Sequence, residues 1–212
     1  MSRFYPVFLD IDGKRAVVIG GGPVAHRKAA SLIEAGAAVT VISPDATPSI
    51  KKLAERGLLT HKPRRYRKGD LRGAVVAIAA TDDPSVNERA ASEANDLGIL
   101  INCATPPDSG NFIVPSSIKR GALTLAISTG GASPALSKRL RLDFEAFLGT
   151  RYSWFLEFLE EARGRLKEEV EDEAARQEIL RGLVDYCLSD DAGTSKKESL
   201  PNARARLESL LK

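Results

Sequence analysis

The sequence predicts an α/β protein: a parallel sheet flanked by helices, then a small segment, then a helical domain. Three observations carry this. The β-branched run Val17-Val18-Ile19 leads directly into the glycine turn Gly20-Gly21-Gly22. Short apolar runs then alternate with helical spacing as far as Asn102. From Trp154 onward the apolar spacing is helical throughout.

The first run reads as a strand covered on both faces. Gly20, Gly22 and Ala25 fit the G-x-G-x-x-G/A dinucleotide fingerprint, which makes the fold Rossmann-type. The first glycine permits the sharp turn, the second admits a pyrophosphate close to the backbone, and the small third residue lets helix and strand pack closely. Pro23 suits a first helical turn because its missing N–H has no intrahelical partner there. Free N–H groups at that helix start favour phosphate. Gly21 and Val24 complete the candidate cofactor turn.

The helix continues through Ala25, Ala29, Leu32 and Ile33 and stops at Gly36. Ala38 to Ile42 is a second strand, completing a βαβ unit. Its end presents Ser43-Pro44-Asp45, the place from which a side chain reaches the adenosine ribose. Asp45, with Ser43 as a further hydroxyl, indicates NAD, because no Arg stands at this point to hold a 2′-phosphate. Thr47 to Gly57 reads as a helix capped by Thr47 or Ser49. The run Lys62-Pro63-Arg64-Arg65-Tyr66-Arg67-Lys68 holds five basic residues in seven. With one aromatic, it reads as a solvated or substrate-facing surface and not as a nucleic-acid site.

Ala74 to Ala80 is the next buried strand, and Thr81-Asp82-Asp83-Pro84 follows it into a helix. Ligands of open parallel sheets sit outside the carboxyl ends of the strands, so Thr81 and Asp82 are expected to line the cofactor crevice. Asp83 or Ser85 caps the helix. Gly98 to Asn102 is a further strand, and Cys103 to Asp108 follows at the same edge. Beyond it, Leu123 to Ser128 alternates as a strand. Ser133 and Pro134 mark a helix start, and the glycines before them are expected to expose N–H groups able to bind a carboxylate. That helix runs through Leu136, Leu140, Phe144 and Phe147. Trp154, Phe155, Phe158, Leu159, Ala162, Leu166 and Val170 make one apolar stripe, and Ile179, Leu180, Leu183, Val184 and Leu188 a second. Ser189 to Ser199 reads as a polar linker and Leu200 to Leu211 as a closing helix.

Composition narrows the function classes. The chain of 212 residues is 43% apolar and 28% charged, with a net charge of +3. That balance gives no reason to expect a nucleic-acid partner. No apolar run approaches the roughly 18 residues of a membrane span. Met1 to Asp12 lacks a signal-peptide layout. Cys103 and Cys187 form neither a metal nor a disulfide pattern, so a reducing cytoplasm is expected. The histidines, His26 and His61, belong to separate elements, and no metal-ligand constellation is present. The most one-sided charge lies at 114–150, where Lys119, Arg120, Lys138, Arg139 and Arg141 face only Asp143 and Glu145.

Read in order, several segments resemble the precorrin-2 dehydrogenase module of siroheme synthases: Tyr5 to Leu9, Val18 to Lys28, Ala77 to Asp83 with Asn87, Phe112 to Ser116, and Ser128 to Pro134. The resemblance implies oxidation of precorrin-2 to sirohydrochlorin with NAD⁺ as acceptor, and in some members insertion of ferrous iron. It implies a homodimer and three parts: a Rossmann domain at 1–113, a middle dimerisation and substrate segment at 114–150, and a helical domain at 151–212. The methyltransferase domain of the larger synthases is not expected in these residues. The implied substrate is a tetrapyrrole rich in carboxylates. Asn102, Ser116, Arg120, Ser128, Thr129, Gly130, Gly131 and Lys138 are the candidates to hold it. Similar proteins carry an aspartate three residues after the asparagine of Asn102, and this chain has Thr105 there. Asp108, or Thr105 itself, is the candidate for the proton-accepting group. A non-catalytic nucleotide- or tetrapyrrole-binding role is the alternative.

Overall fold

A computed structural model describes residues 4–149, 151–189 and 196–211. The chain divides into two compact units, Met1–Val114 and Pro115–Lys212. In the first unit, strands β1 (Arg15–Ile19), β2 (Ala38–Ile42), β3 (Thr60–Lys62), β4 (Val76–Ala79) and β5 (Leu100–Cys103) form one sheet in the order β3-β2-β1-β4-β5. Every pairing is parallel. Helices α1 (Pro23–Glu34), α2 (Pro48–Glu55) and α3 (Pro84–Asp96) connect the strands, and Pro107–Ser109 forms a single 3-10 turn after β5.

The strand sequences explain why the sheet is covered on both faces. In β1, Ala16 and Val18 enter one core while Val17 and Ile19 enter the other. In β4, Val76 and Ile78 join the first core, and Ala77 and Ala79 the second. Successive side chains of a strand point to opposite faces, so a strand covered twice must be apolar without interruption. The first core includes Ala25 and Ala29 of α1 and Ile50 of α2. The second includes Ala90, Ala91 and Ala94 of α3, whose small side chains bring that helix close to the sheet. Each fully buried Val or Ile contributes about 1.5–3 kcal/mol.

Between β3 and β4 no helix forms. The chain instead runs beneath the sheet, with Tyr66 and Leu71 buried in the α3-side core. Arg64 makes a bidentate pair with Asp70, at 2.8 and 2.6 Å, and Asp70 also accepts from the Arg67 N–H at 2.8 Å. The Tyr66 hydroxyl donates to the buried Glu93 carboxylate at 2.6 Å, and the Gly69 and Leu71 N–H groups reach the same carboxylate. The basic run is therefore partly a structural crossover and not a uniformly solvated surface.

The second unit starts with an antiparallel hairpin, β6 (Ser116–Arg120) and β7 (Leu123–Ile127), and continues as α4 (Pro134–Leu148), α5 (Arg151–Glu169), α6 (Glu173–Leu188) and α7 (Lys196–Leu210). Helices α5, α6 and α7 share a core built on Trp154, Phe155, Phe158, Leu166, Leu183 and Leu207. Two expectations are corrected here. Leu188, assigned to the second apolar stripe, is exposed. Helix α7 begins at Lys196, ahead of Leu200, and carries Pro201 inside it. Of the expected linker, residues 190–195 lie outside the described residues. Among the described residues, no helix is long and apolar enough to cross a membrane.

Candidate functional site

The first unit carries a cleft of about 680 Å³ along the carboxyl edge of its sheet. The turns after β1, β2, β4 and β5 all contribute to it. Strand order makes this the expected place: the chain leaves β1 toward β2 on one side and reaches β4 on the other, which opens a crevice between the two connections.

The glycine turn forms the floor. Gly20 has φ +120°, and a Cβ there would overlap the Ala80 carbonyl oxygen. At Gly21 a Cβ would overlap the Asp45 carbonyl oxygen. Gly22 differs, because a Cβ there would meet nothing within 4 Å. Gly22 is also the N-cap of α1, with Pro23 following as the first helical residue. The first two glycines are thus required by the protein's own backbone. The third leaves open space at a helix N-terminus, where a pyrophosphate fits. Ala25 is fully buried and sets the close approach of α1 to the sheet. Val24 lines the cleft beside these residues.

On the β2 side the walls are Ser43, Pro44, Asp45 and Thr47. The Ser43 hydroxyl donates to the Asp45 carbonyl oxygen at 2.5 Å, and a ring nitrogen of His61 lies 3.0 Å from the Ser43 carbonyl oxygen. Ser43 is buried and its hydroxyl braces the turn, keeping acceptor capacity toward the cleft. Asp45 is exposed on the same wall. Thr47 occupies the N-cap position of α2 but makes no capping bond, and its hydroxyl is buried without a hydrogen-bond partner among the described residues. Arg65 and Tyr66 also line this side.

On the other side are Thr81, Asp82, Asp83, Ala104 and Thr105. Asp83 caps α3 by accepting from the Ser85 N–H at 2.9 Å. The Ser85 hydroxyl, bonded to the same carboxylate, holds Asp83 below the usual range. Thr81 is tied to Asn87, a fully buried residue of α3: its hydroxyl and its N–H both donate to the Asn87 side-chain oxygen. The Asn87 amide nitrogen donates to the Thr81 carbonyl at 3.0 Å and to the Thr105 carbonyl at 2.8 Å. Asp82 is exposed, with no hydrogen bond among the described residues. Asp108 sits in the 3-10 turn and is not part of the cleft wall. The Asn102 amide donates to the Phe112 carbonyl at 3.1 Å. Cys103 is buried at the end of β5, and burial raises its thiol above the ordinary value. Among the described residues no cluster of three His, Cys, Asp or Glu could hold a metal ion.

The remaining candidates lie in the second unit. Ser116 opens β6. Arg120 is internally engaged: it donates to the Gly149 and Lys119 carbonyls and pairs with Glu145 at 3.1 Å. Arg139 pairs with Asp143 and Arg141 with Glu145 along α4. Lys138 is exposed and has no ion pair among the described residues. In the turn before α4, Gly130 and Gly131 have φ +62° and +90°. Ser128 accepts from the Gly130 N–H, and the Thr129 hydroxyl accepts from the Ser133 N–H, both at 3.1 Å. The Ala132 N–H bonds the Thr129 carbonyl. Much of the N–H array expected to bind a carboxylate is therefore satisfied within the turn. Ser133 caps α4 through the Leu136 N–H, as the sequence predicts.

Known proteins match this arrangement. A family model described as putative NAD(P)-binding matches residues 7–116, and one described as sirohaem biosynthesis protein central matches residues 120–146. A solved structure titled SirC, precorrin-2 dehydrogenase, is 30% identical, with a TM-score of 0.78 over 98% of both chains. The chain belongs to the precorrin-2 dehydrogenase family. Siroheme synthases also match. That of Chromobacterium violaceum is 36% identical over 201 residues, covering 92% of this chain and 43% of the relative. That of Methylococcus capsulatus is 37% identical over 174 residues, covering 82% and 37%. The chain thus spans less than half the length of the curated relatives it matches. The family's NAD(P)-binding part coincides with the unit that carries the cleft.

Arg65, Tyr66 and Thr47 are among the cleft residues that the sequence does not mark as part of the site. Arg65 and Tyr66 stand in the basic run, whose charge hides which of its members turns toward the sheet edge.

Proposed function

We propose that the chain oxidises precorrin-2 to sirohydrochlorin with NAD⁺ as hydride acceptor, as a step of siroheme biosynthesis. The observation that carries this is the coincidence of the open Gly22 position at the α1 N-terminus with likeness to SirC over 98% of both chains. Gly20, Gly21, Gly22, Pro23, Val24 and Ala25 form the turn for the pyrophosphate. Asp45 serves the adenosine ribose, and Thr81 and Asp82 stand at the nicotinamide end. The bound dinucleotide supplies hydride acceptance, and the protein supplies alignment and the fate of the proton. One hydride leaves the macrocycle and a proton is released beside it. Thr105 has no acidic group to receive that proton near neutral pH. Asp82, on the cleft wall and free of other bonds among the described residues, is the carboxylate best situated to do so, ahead of Asp108.

Among the described residues of 114–149, Lys119 and Lys138 are the cations left for substrate carboxylates once Arg120, Arg139 and Arg141 are paired internally. Ser116, Ser128, Thr129, Gly130, Gly131 and Asn102 stay candidates for the same role, with residues 114–150 as substrate segment and 151–212 as helical domain. A homodimer is proposed through α4, where Leu136, Leu142, Phe144 and Phe147 are exposed and Phe147 is 78% accessible. Neither Cys103 nor Cys187, both buried, forms a disulfide, which suits a reducing cytoplasm.

The test is anaerobic incubation with precorrin-2 and NAD⁺. The expected result is NADH formation with the sirohydrochlorin spectrum. A folded, NAD⁺-binding protein without turnover supports the non-catalytic alternative. Iron insertion is assayed separately, with ready-made sirohydrochlorin and ferrous iron as substrates.

A further inference from the structure

We propose that Arg65 forms an anion subsite at the adenosine end of the cleft, taking a phosphate on the ribose, so that the cleft holds NADP⁺ as well as NAD⁺. The proposal rests on the dinucleotide reading of the cleft and deepens it.

Topology comes first. β3 pairs in parallel with β2, with Lys62 opposite Ile42, so both strands end at the same edge of the sheet. Arg65 follows three residues later and lines the cleft together with Ser43, Pro44 and Asp45. In folds of this kind the end of β2 meets the adenosine ribose, and a nearby Arg accommodates a 2′-phosphate. Here the arginine arrives from the neighbouring strand.

Pairing comes second. Arg64 is consumed by its two bonds to Asp70. The Arg65 guanidinium is exposed and has no hydrogen bond or ion pair among the described residues. A planar guanidinium offers several donors in a geometry that matches phosphate. Asp45 is the opposing group, favouring a free ribose hydroxyl and repelling a phosphate. The two side chains on one wall therefore make a site that serves both dinucleotides instead of rejecting one.

A carboxylate of the tetrapyrrole is the competing anion. Thr105 and Asp82 lie beyond β5 and β4, whereas Arg65 follows the opposite edge strand. Strands lie about 4.8 Å apart, so β3 and β5 are separated by roughly 19 Å. That separation assigns Arg65 to the adenosine end.

The test is equilibrium titration of the full chain with NAD⁺ and NADP⁺, for the wild type, Arg65→Ala and Arg65→Lys. The wild type is expected to bind NADP⁺ within tenfold of NAD⁺. Arg65→Ala should weaken NADP⁺ at least tenfold and NAD⁺ less than twofold, with partial recovery in Arg65→Lys. NAD⁺ binding without NADP⁺ binding overturns the subsite alone. An equal loss for both dinucleotides in Arg65→Ala also overturns it. Absence of NAD⁺ binding overturns the dehydrogenase reading and the subsite with it. A raised KM for the tetrapyrrole in Arg65→Ala, with NADP⁺ binding unchanged, overturns it by giving Arg65 to the substrate.

Discussion

The Asn87 side-chain amide donates to the Thr105 carbonyl at 2.8 Å while its oxygen accepts from the Thr81 hydroxyl, also at 2.8 Å. One fully buried side chain thus joins the turn after β4 to the turn after β5. In Asn87→Ala the Thr81 N–H and the two carbonyls lose their partner in a part-buried setting, at about 1 kcal/mol for such a loss. The expected outcome is that loss in urea unfolding, with NAD⁺ binding weakened several-fold because the two turns are no longer held together. Unchanged NAD⁺ affinity in a variant that stays folded would show that Asn87 serves stability alone.

The three glycines of the first turn should separate by phenotype. Gly21→Ala brings a methyl group into the Asp45 carbonyl, and Gly20→Ala combines a forbidden φ with the Ala80 carbonyl. Both should lower the melting temperature by several degrees. Gly22→Ala meets no protein atom and keeps an ordinary φ of −80°. It should fold normally and weaken NAD⁺ tenfold or more, read by isothermal titration, because its methyl occupies the space kept for the pyrophosphate.

Much of this was legible in the sequence, for a physical reason. Strands buried on both faces must be continuously apolar, so Val17 to Ile19 and Val76 to Ala79 declare themselves. The caps at Asp83 and Ser133 are equally local. Long-range pairings are not legible in this way. Arg120 looks available for a substrate until Glu145, 25 residues away, takes it. Arg65 reaches the cleft because Tyr66 beside it is anchored to Glu93, 27 residues on. The closing helix reads from Leu200, yet α7 begins at Lys196. No local pattern encodes any of the three.

Two titratable groups in the β3–β4 crossover, a carboxylate and a phenol, give stability opposite pH limits. The Arg64 guanidinium holds Asp70 below the usual carboxylate range, with the Arg67 N–H assisting. A lowered native value means that this stability is complete above the unfolded value near 3.9 and is lost as pH falls through the native one. Tyr66 is shifted upward, first by burial and then by its bond to Glu93. That contribution is complete below about pH 10 and declines above it. Urea midpoints should fall on both sides of this plateau. Asp70→Asn should flatten the acid limb and Tyr66→Phe the alkaline one.

The base can be decided by three substitutions. Asp82 stands on the cleft wall beside Thr105, and Asp108 stands outside it in the 3-10 turn. Removing a positioned general base costs about a hundredfold or more. Asp82→Asn should therefore reduce kcat by about that factor while NAD⁺ affinity stays within twofold, since the amide keeps the shape of the wall. Asp108→Ala should leave kcat nearly unchanged. Thr105→Asp puts a carboxylate on the cleft wall at the end of β5, and it should restore part of the activity lost in Asp82→Asn. Anaerobic single-turnover oxidation of precorrin-2 measures all three. A large loss in Asp108→Ala with none in Asp82→Asn would reverse the assignment, because the 3-10 turn would then have to bring its acid to the substrate.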